Sequence, residues 1–299
     1  MRLACIGIGS NAIRLLIAQW SQGELCVVRR ERRGTRLFAG LVDGALTQQS
    51  IRSSVDAVAE LAMLARQDGA QEIFIFATSA VRDASNGEEF TRLAQQASGT
   101  HIEIITGEQE AVLSYIGASH GDRCGVIDIG GGSTEFTLGE DDCALDAVSL
   151  QMGAVRMNAQ LPIRSEEDYG ITVERCMHMI RRDAQALLKL PRANCWVGVG
   201  GTMTTIGAMH HGVPLFDSQQ CEGMIISRAD VCSWGRRIAR LPMAYRRQIV
   251  GLMPQRADII PSGIAILEAA MRVFDMKEIA LSAHGNMDGF LKKKFKEMY

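Results

Sequence analysis

Apolar and polar residues alternate along this chain in two rhythms. Short apolar runs of strand length are interleaved with longer stretches whose apolar residues recur every three or four positions. LACIGI (3–8) predicts a strand, GSN a tight turn, IRLLIAQW a second strand and ELCVVRR a third. Residues 47–69 predict an amphipathic helix. Ile51, Val55, Val58, Ala62 and Ala65 share a face, Thr47 can cap the start and Gly69 can end it. EIFIFAT reads as a buried strand, and Ser85, Asn86, Gly87 and Glu88 have the form of a capping box opening the next helix. HIEIIT is another strand, followed by Thr106 and Gln109 as a second capping box for the helix GEQEAVLSYIGA. At Gly121 the pattern restarts with CGVIDI as a strand, GGGST as a turn and EFTLG as a strand. A long helix over about 166–189, the strand CWVGVG, helical segments to about Phe274, the strand EIALSA and the helix GFLKKKFKEM complete it. This alternation predicts an α/β protein with parallel or mixed sheets.

The pattern contains a repeat. IGIGSNAIRLLIA (6–18) and IDIGGGSTEFTLG (127–139) share one plan: an apolar strand, a glycine-rich turn with a small hydroxyl residue, and a second strand. Each opens a half of the chain. Two similar α/β domains are therefore expected, 1–120 and 121–284, with a last helix over 285–299 packing back on the first. No low-complexity linker separates them, so a shared cleft and hinge are expected.

Composition narrows the function. The 299 residues suffice for two domains. With 32 Lys+Arg against 34 Asp+Glu the formal net charge is −2, which disfavours a dedicated nucleic-acid binder. The longest charge-free stretch, 193–216, is rich in glycine and threonine and carries two histidines, so it is not a membrane span, and Ser10, Asn11 and Arg14 interrupt any export-type apolar core. A cytoplasmic protein without a membrane partner is the expectation. The eight cysteines form no CxxC pair and are expected to be reduced, buried, small apolar residues. The six histidines show no metal-ligand spacing. Arg29, Arg30, Arg32, Arg33 and Arg36 form a basic run that suits either a solvated face or a channel for a polyanion.

The candidate chemistry lies in the turns. Glycine lets the backbone bend sharply and approach a ligand, and successive N–H groups can converge on an anion, helped by the hydroxyls of Ser10, Ser133 and Thr134. Two facing loops of this kind would clamp a phosphate chain; they also fit two ordinary hairpins. VGVGGTMTTIGAM places Gly200, Gly201 and Thr202 where a helix would start, which suits an anion or a plain strand–helix connection. Asp128 ends a buried strand beside the triple glycine, where a carboxylate next to phosphate calls for a bridging Mg²⁺, and Glu135 offers a second carboxylate. Glu108 and Glu110 lie in the first turn of a helix, favoured there by its dipole or serving as a general base. Arg82, in the loop after a strand, suits a phosphate or a surface ion pair with Asp83 or Glu88.

The segments IGIGSNAIRLLIA, TRLFAG, ATSAVRDASNGEEF, IITGEQEAVLSYIGA, VIDIGGGSTEF, SLQMGAVRM, VGVGGTMTTIGAM, GLMPQRADIIPSGIAIL and LSAHGNMDGF run nearly the length of the chain. In their order and spacing the chain resembles the exopolyphosphatase / guanosine pentaphosphate phosphohydrolase family in its short, two-domain form. The resemblance implies two actin-like, ribonuclease H-like α/β domains with an interdomain cleft. It implies a Mg²⁺-dependent hydrolase releasing orthophosphate from the end of inorganic polyphosphate, or the γ-phosphate of pppGpp. It places the general base on Glu110 and the catalytic-loop arginine on Arg82. The first phosphate loop falls on Gly9, Ser10 and Asn11, the second on Gly130, Gly131, Gly132 and Ser133, and a third contact on Gly200, Gly201 and Thr202. The metal carboxylates fall on Asp128 and Glu135. A homodimer is an arrangement this fold allows.

The chain departs from that family at polar positions. Gly7 stands where the first loop of the family has Asp, and the internal repeat shows the same gap, since Gly7 aligns with Asp128. Ala12 replaces a hydroxyl residue, Ala283 follows Ser282 where the family favours Ser-Asp, and Cys221-Glu222-Gly223 stands where a His-Gly pair is common. These changes admit a second function class, a non-catalytic sensor binding polyphosphate or pppGpp. A third, an actin-like ATPase or kinase, is disfavoured by the short chain and by Glu110.

Overall fold

The computed structural model describes residues 1–121, 123–141, 143–213 and 218–298; Tyr299, which ends the predicted last helix, and residues 214–216 of the charge-free stretch lie outside them. The chain forms two units, Met1–Gly117 with Asn286–Tyr299, and Ala118–Gly285.

The first unit opens with β1 (Arg2–Ile8), β2 (Ile13–Ser21) and β3 (Glu24–Arg33), then the two-residue strands β4 (Leu41–Val42) and β5 (Ala45–Leu46) and helix α1 (Gln48–Gln67). β6 (Glu72–Ala77), α2 (Ser79–Arg82), α3 (Gly87–Ser98), β7 (Ile102–Ile104) and α4 (Gly107–Ala118) follow. The sheet order is β3-β2-β1-β6-β7, with β1 antiparallel to β2 and parallel to β6. The second unit repeats the plan with β8 (Cys124–Ile129), β9 (Thr134–Glu140), β10 (Cys143–Leu150), α5 (Ala154–Gln160), α6 (Glu166–Asp183), α7 (Gln185–Lys189), β11 (Cys195–Val199) and α8 (Gly200–His211). β12 (Ile225–Ser227), α9 (Arg228–Arg240), α10 (Met243–Arg246), α11 (Ile260–Val273) and β13 (Glu278–Leu281) complete it, in sheet order β10-β9-β8-β11-β13-β12. A three-strand antiparallel meander extended by parallel strands, made twice, is the actin-like, ribonuclease H-like α/β fold. Its final helix, α12 (Asn286–Met298), belongs to the first unit.

Local chemistry accounts for most element ends. Thr47 accepts from the Ser50 N–H at the start of α1, and Gly69 beyond its end has φ +76°. The box at α4 is reciprocal: the Thr106 N–H donates to Gln109 Oε1 (2.7 Å), and the Gln109 N–H donates to Thr106 Oγ1 (3.2 Å). The box expected at Ser85–Glu88 does not form. Asn86 is the cap residue of α3 without a side-chain cap bond, because its amide instead pairs with both backbone groups of Leu46 (2.8 and 2.9 Å).

Other differences have similarly local causes. The helix expected over 166–189 is two, since Ala184 leaves helical geometry between α6 and α7. β10 and β12 escape the pattern reading because edge strands, only partly buried, need no apolar alternation. The eight cysteines are free, yet Cys26, Cys143 and Cys195 are exposed: Cys143 and Cys195 begin their strands, and Cys26 takes an outward position on β3. No helix among the described residues is long and apolar enough to cross a membrane.

α12 is held by packing and by polar contacts. Met287, Phe290, Leu291 and Phe295, at helical spacing, join Leu3, Cys5, Leu16 and Phe76 in one core, and Phe295 stacks on Trp20 with centroids 5.6 Å apart. Lys292 Nζ donates to the terminal carbonyls of Ile116 (3.2 Å) and Gly117 (3.0 Å), the negative end of α4. Gly289 makes this approach feasible, because a Cβ there would strike the Leu113 carbonyl and lie 2.9 Å from the Gly117 nitrogen. Gly289→Ala is expected to cost about 1–3 kcal/mol through overpacking. Urea unfolding should show a lower midpoint with an unchanged slope.

Candidate active site

The two hairpins share their turn geometry. Between β1 and β2 the Gly9 N–H donates to the Ala12 carbonyl (3.2 Å); between β8 and β9 the Gly130 N–H donates to the Ser133 carbonyl (3.0 Å). The following segment then occupies the turn carbonyls. The Phe38 and Arg36 N–H groups donate to Ser10 O (2.8 Å) and Asn11 O (3.1 Å). At the second turn the Ala154 and Val155 N–H groups donate to Gly130 O (2.9 Å) and Gly131 O (2.8 Å), and Arg156 Nε donates to Gly132 O (2.6 Å). The N–H groups of Ser10, Asn11, Gly131 and Gly132 have no acceptor among the described residues. Each turn therefore offers two N–H donors at residues whose own carbonyls are already occupied, an arrangement that suits an anion. Asn11 Oδ1, buried, also has no donor among the described residues and can accept from a water or a ligand.

In the first unit the turn leads to an acid. Ser10 Oγ and Ser79 Oγ are 3.0 Å apart, and Ser79 opens the short α2 that ends at Arg82. Arg82 Nη1 donates to the Ile105 carbonyl (3.0 Å) and lies 3.9 Å from Glu110 Oε2, while Nε lies 3.7 Å from Asp83. Arg82 Nη2 is buried with no acceptor among the described residues. On α4, whose start the capping box fixes, Glu108 is exposed and Glu110 is turned inward at 7% exposure. Asn286 Nδ2 donates to Glu110 Oε1 (3.3 Å), and Asn286 Oδ1 accepts from Arg14 Nη2 (3.4 Å). Sequence reasoning did not single out Ser79, Arg14 or Asn286 as site residues. Their only signal was membership of the quoted motifs.

In the second unit Asp128 and Glu135 are direct partners in the β8–β9 register, so their side chains leave the same face of the hairpin. Both are buried, and Ser149 Oγ donates to Glu135 Oε1 (2.7 Å). The start of α8 presses on this pair: Gly200 has φ +91°, and a Cβ there would lie 2.5 Å from Asp128 Oδ1. The Arg256 guanidinium lies where a Cβ on Gly201 would be, and Thr202 is buried beside Gly263. Arg256 is a further charged group that sequence reasoning passed over, although it lay in the quoted segment GLMPQRADIIPSGIAIL. Among the described residues no group of three or more His, Cys, Asp or Glu could hold a metal. Two hard carboxylates in cross-strand register suit Mg²⁺, which keeps several of its waters, so the donor set fits that ion.

The repeat is asymmetric at one rung. Where the second hairpin pairs Asp128 with Glu135, the first pairs Gly7 with Arg14. The space a side chain on Gly7 would enter is lined by Met287 Sδ, 3.2 Å from the Cβ position, and Phe76 Cζ at 3.6 Å. Two other departures meet each other. Glu222 accepts from Ser282 Oγ (3.0 Å) and from the Ala283 N–H (2.6 Å), with His284 Nε2 4.0 Å away. A carboxylate thus reaches Ser282 from position 222 rather than from 283. The arginine run is mostly consumed in ion pairs: Arg29 with Glu31 and Asp68, Arg30 with Asp288, Arg33 with Glu31 and Glu60. Arg32 instead stands opposite Arg14, and burial followed by that like charge lowers its pKa.

Paired units of this topology, each presenting a glycine-containing hairpin turn with free N–H donors, place the chain among the actin-like two-domain proteins. It belongs to the Ppx/GppA phosphatase family, whose model matches residues 16–298. It is similar to Exopolyphosphatase 2 of Mycobacterium tuberculosis, 31% identical over 96% of this chain and 97% of that protein. It is 27% identical to guanosine-5'-triphosphate,3'-diphosphate pyrophosphatase of Photobacterium profundum over 99% of its own length but only 59% of that protein's. The solved Ppx/GppA enzyme of Aquifex aeolicus superposes with a TM-score of 0.84 at 27% identity, over 98% of this chain and 99% of that one.

The contact at position 7 gives a direct test of packing. Gly7→Asp alone is expected to destabilise by about 1–3 kcal/mol, because the Met287 thioether must give way. Met287→Ala carries its own cost as a core truncation, so the check is a double-mutant cycle in denaturant unfolding, in which the Gly7→Asp penalty should be smaller in the Met287→Ala background than in the parent. A single variant as stable as the parent would show that the Met287 thioether does not constrain position 7.

Proposed function

We propose that this chain hydrolyses the terminal phosphoanhydride of inorganic polyphosphate or of pppGpp, releasing orthophosphate with Mg²⁺ as cofactor, in the cytoplasm. The observation that carries the reading is the buried Glu110 carboxylate, held by Asn286 on one oxygen and approached by the Arg82 guanidinium on the other. The names of the relatives supply the two substrates. Polyphosphate is the one to assay first, because the match covers nearly the whole of the exopolyphosphatase relative.

Glu110 accepts the proton of the attacking water and so raises its nucleophilicity at the terminal phosphorus. Arg82, which has a buried Nη2 to donate, neutralises charge on the phosphoryl oxygens. In the turns Gly9, Ser10, Asn11 and Gly130, Gly131, Gly132, Ser133, the N–H groups of Ser10, Asn11, Gly131 and Gly132 bind phosphoryl oxygens without reorganisation. Gly200, Gly201 and Thr202 form a third contact at the start of α8. Asp128 and Glu135 would hold Mg²⁺, largely through its waters, and the ion would supply charge neutralisation of the phosphate chain. Since little covalent chemistry falls to the protein, positioning and electrostatics account for most of the rate.

A second reading has its own observation. With Met287 against Gly7 and no carboxylate on that rung, the first hairpin can bind phosphate without taking part in turnover, as in a sensor of polyphosphate or pppGpp. Phosphate release from both substrates, with and without Mg²⁺, separates the two. The enzyme reading expects Mg²⁺-dependent release that a chelator abolishes and that Glu110→Gln lowers by about 10² or more. Tight calorimetric binding without turnover would instead establish the sensor.

A further inference from the structure

We infer that Asn286, the first residue of α12, is a positioning residue for Glu110; the inference rests on the proposed role of Glu110 as general base. Asn286 is 3% exposed, and its amide is committed at both ends. Nδ2 donates to Glu110 Oε1 (3.3 Å), while Oδ1 accepts from Arg14 Nη2 (3.4 Å). The guanidinium can only donate and an ionised carboxylate can only accept, so the two neighbours together set the orientation of the amide. The amide hydrogen bond pins one carboxylate oxygen and favours the ionised form, the form that can take a proton from water. The charge of Arg14 is passed on to Oε1 through the polarised amide, while Arg82 stands on the other oxygen.

The surroundings of Glu110 define what titrates. Arg82 approaches from α2, and Arg14 stands behind Asn286 on β2. On α12 the next acid, Asp288, is engaged by Arg30 at 2.5 and 3.2 Å, and Arg14 faces Arg32 across the β2–β3 register. On α4 itself Glu108 is exposed, and Lys292 binds the carbonyls at the far end of the helix. Asn286 is therefore a neutral donor set among charges, and replacing it changes the field at Glu110 in a defined direction. Loss of the donor disfavours the carboxylate and raises its apparent pKa. A carboxylate in its place raises it further.

The test is the pH profile of phosphate release from polyphosphate, with Mg²⁺, for wild type, Asn286→Leu, Asn286→Asp and Glu110→Gln. Asn286→Leu is expected to lower kcat about tenfold or more with KM nearly unchanged. Its acid limb should move up by about one pH unit, and that of Asn286→Asp further still. Asn286→Asp is close to isosteric and carries the test if the leucine variant does not fold. Wild-type kcat and an unmoved acid limb in a folded Asn286 variant, beside an inactive Glu110→Gln, would overturn the role of Asn286 alone. Full activity in Glu110→Gln, or no phosphate release from the wild type, would overturn the assigned base and this inference with it.

Discussion

A backbone turn holds an anion when its N–H groups converge on it and its carbonyls are directed elsewhere, and carbonyls already engaged by other donors are held in that direction. Both hairpins of this protein meet that condition by the same device. One N–H closes the turn on a carbonyl three residues on, and the segment that follows donates to the carbonyls left over. In the first unit that segment runs into Leu37–Gly40; in the second it is the start of α5. The phosphate binding proposed for the chain depends on this constraint, as its chemistry depends on Glu110.

Upon that shared frame the units carry different chemistry. The rung below the turn holds an acid pair in the second unit and a glycine–arginine pair in the first. A two-strand hairpin fixes such pairs by register alone, so one substitution on each strand converts a cation-attracting rung into a cation-repelling one. The space thus vacated at Gly7 is lined by Met287, which belongs to the apolar face of α12. Glu222 shows a related economy, since its carboxylate serves Ser282 and Ala283 from another loop. In the first case the space beside the rung is apolar, in the second a carboxylate is supplied from another loop, and in both the backbone plan stays the same.

The last helix ties stability to the proposed chemistry. Its phenylalanines fill the core of the first unit, its lysine caps α4, and its first residue touches Glu110. The packing that holds α12 in place therefore also sets the position of Asn286 to within the reach of a hydrogen bond.

Periodicity, turn residues and the internal repeat were enough to read the α/β class and the two hairpins, because strand burial and glycine turns are local properties of neighbouring residues. The reciprocal box at Thr106 and Gln109 was legible for the same reason, and with it the start of α4. Its failed counterpart at Asn86 was not, because the competing partner, Leu46, is distant in sequence. Which of Glu108 and Glu110 turns inward, what lines the space beside Gly7, and that Arg14 and Asn286 stand beside Glu110 were decided only by tertiary structure. Those facts depend on α12 returning to a sheet begun by the first residues of the chain, and contacts over such separations leave no periodic trace in the sequence.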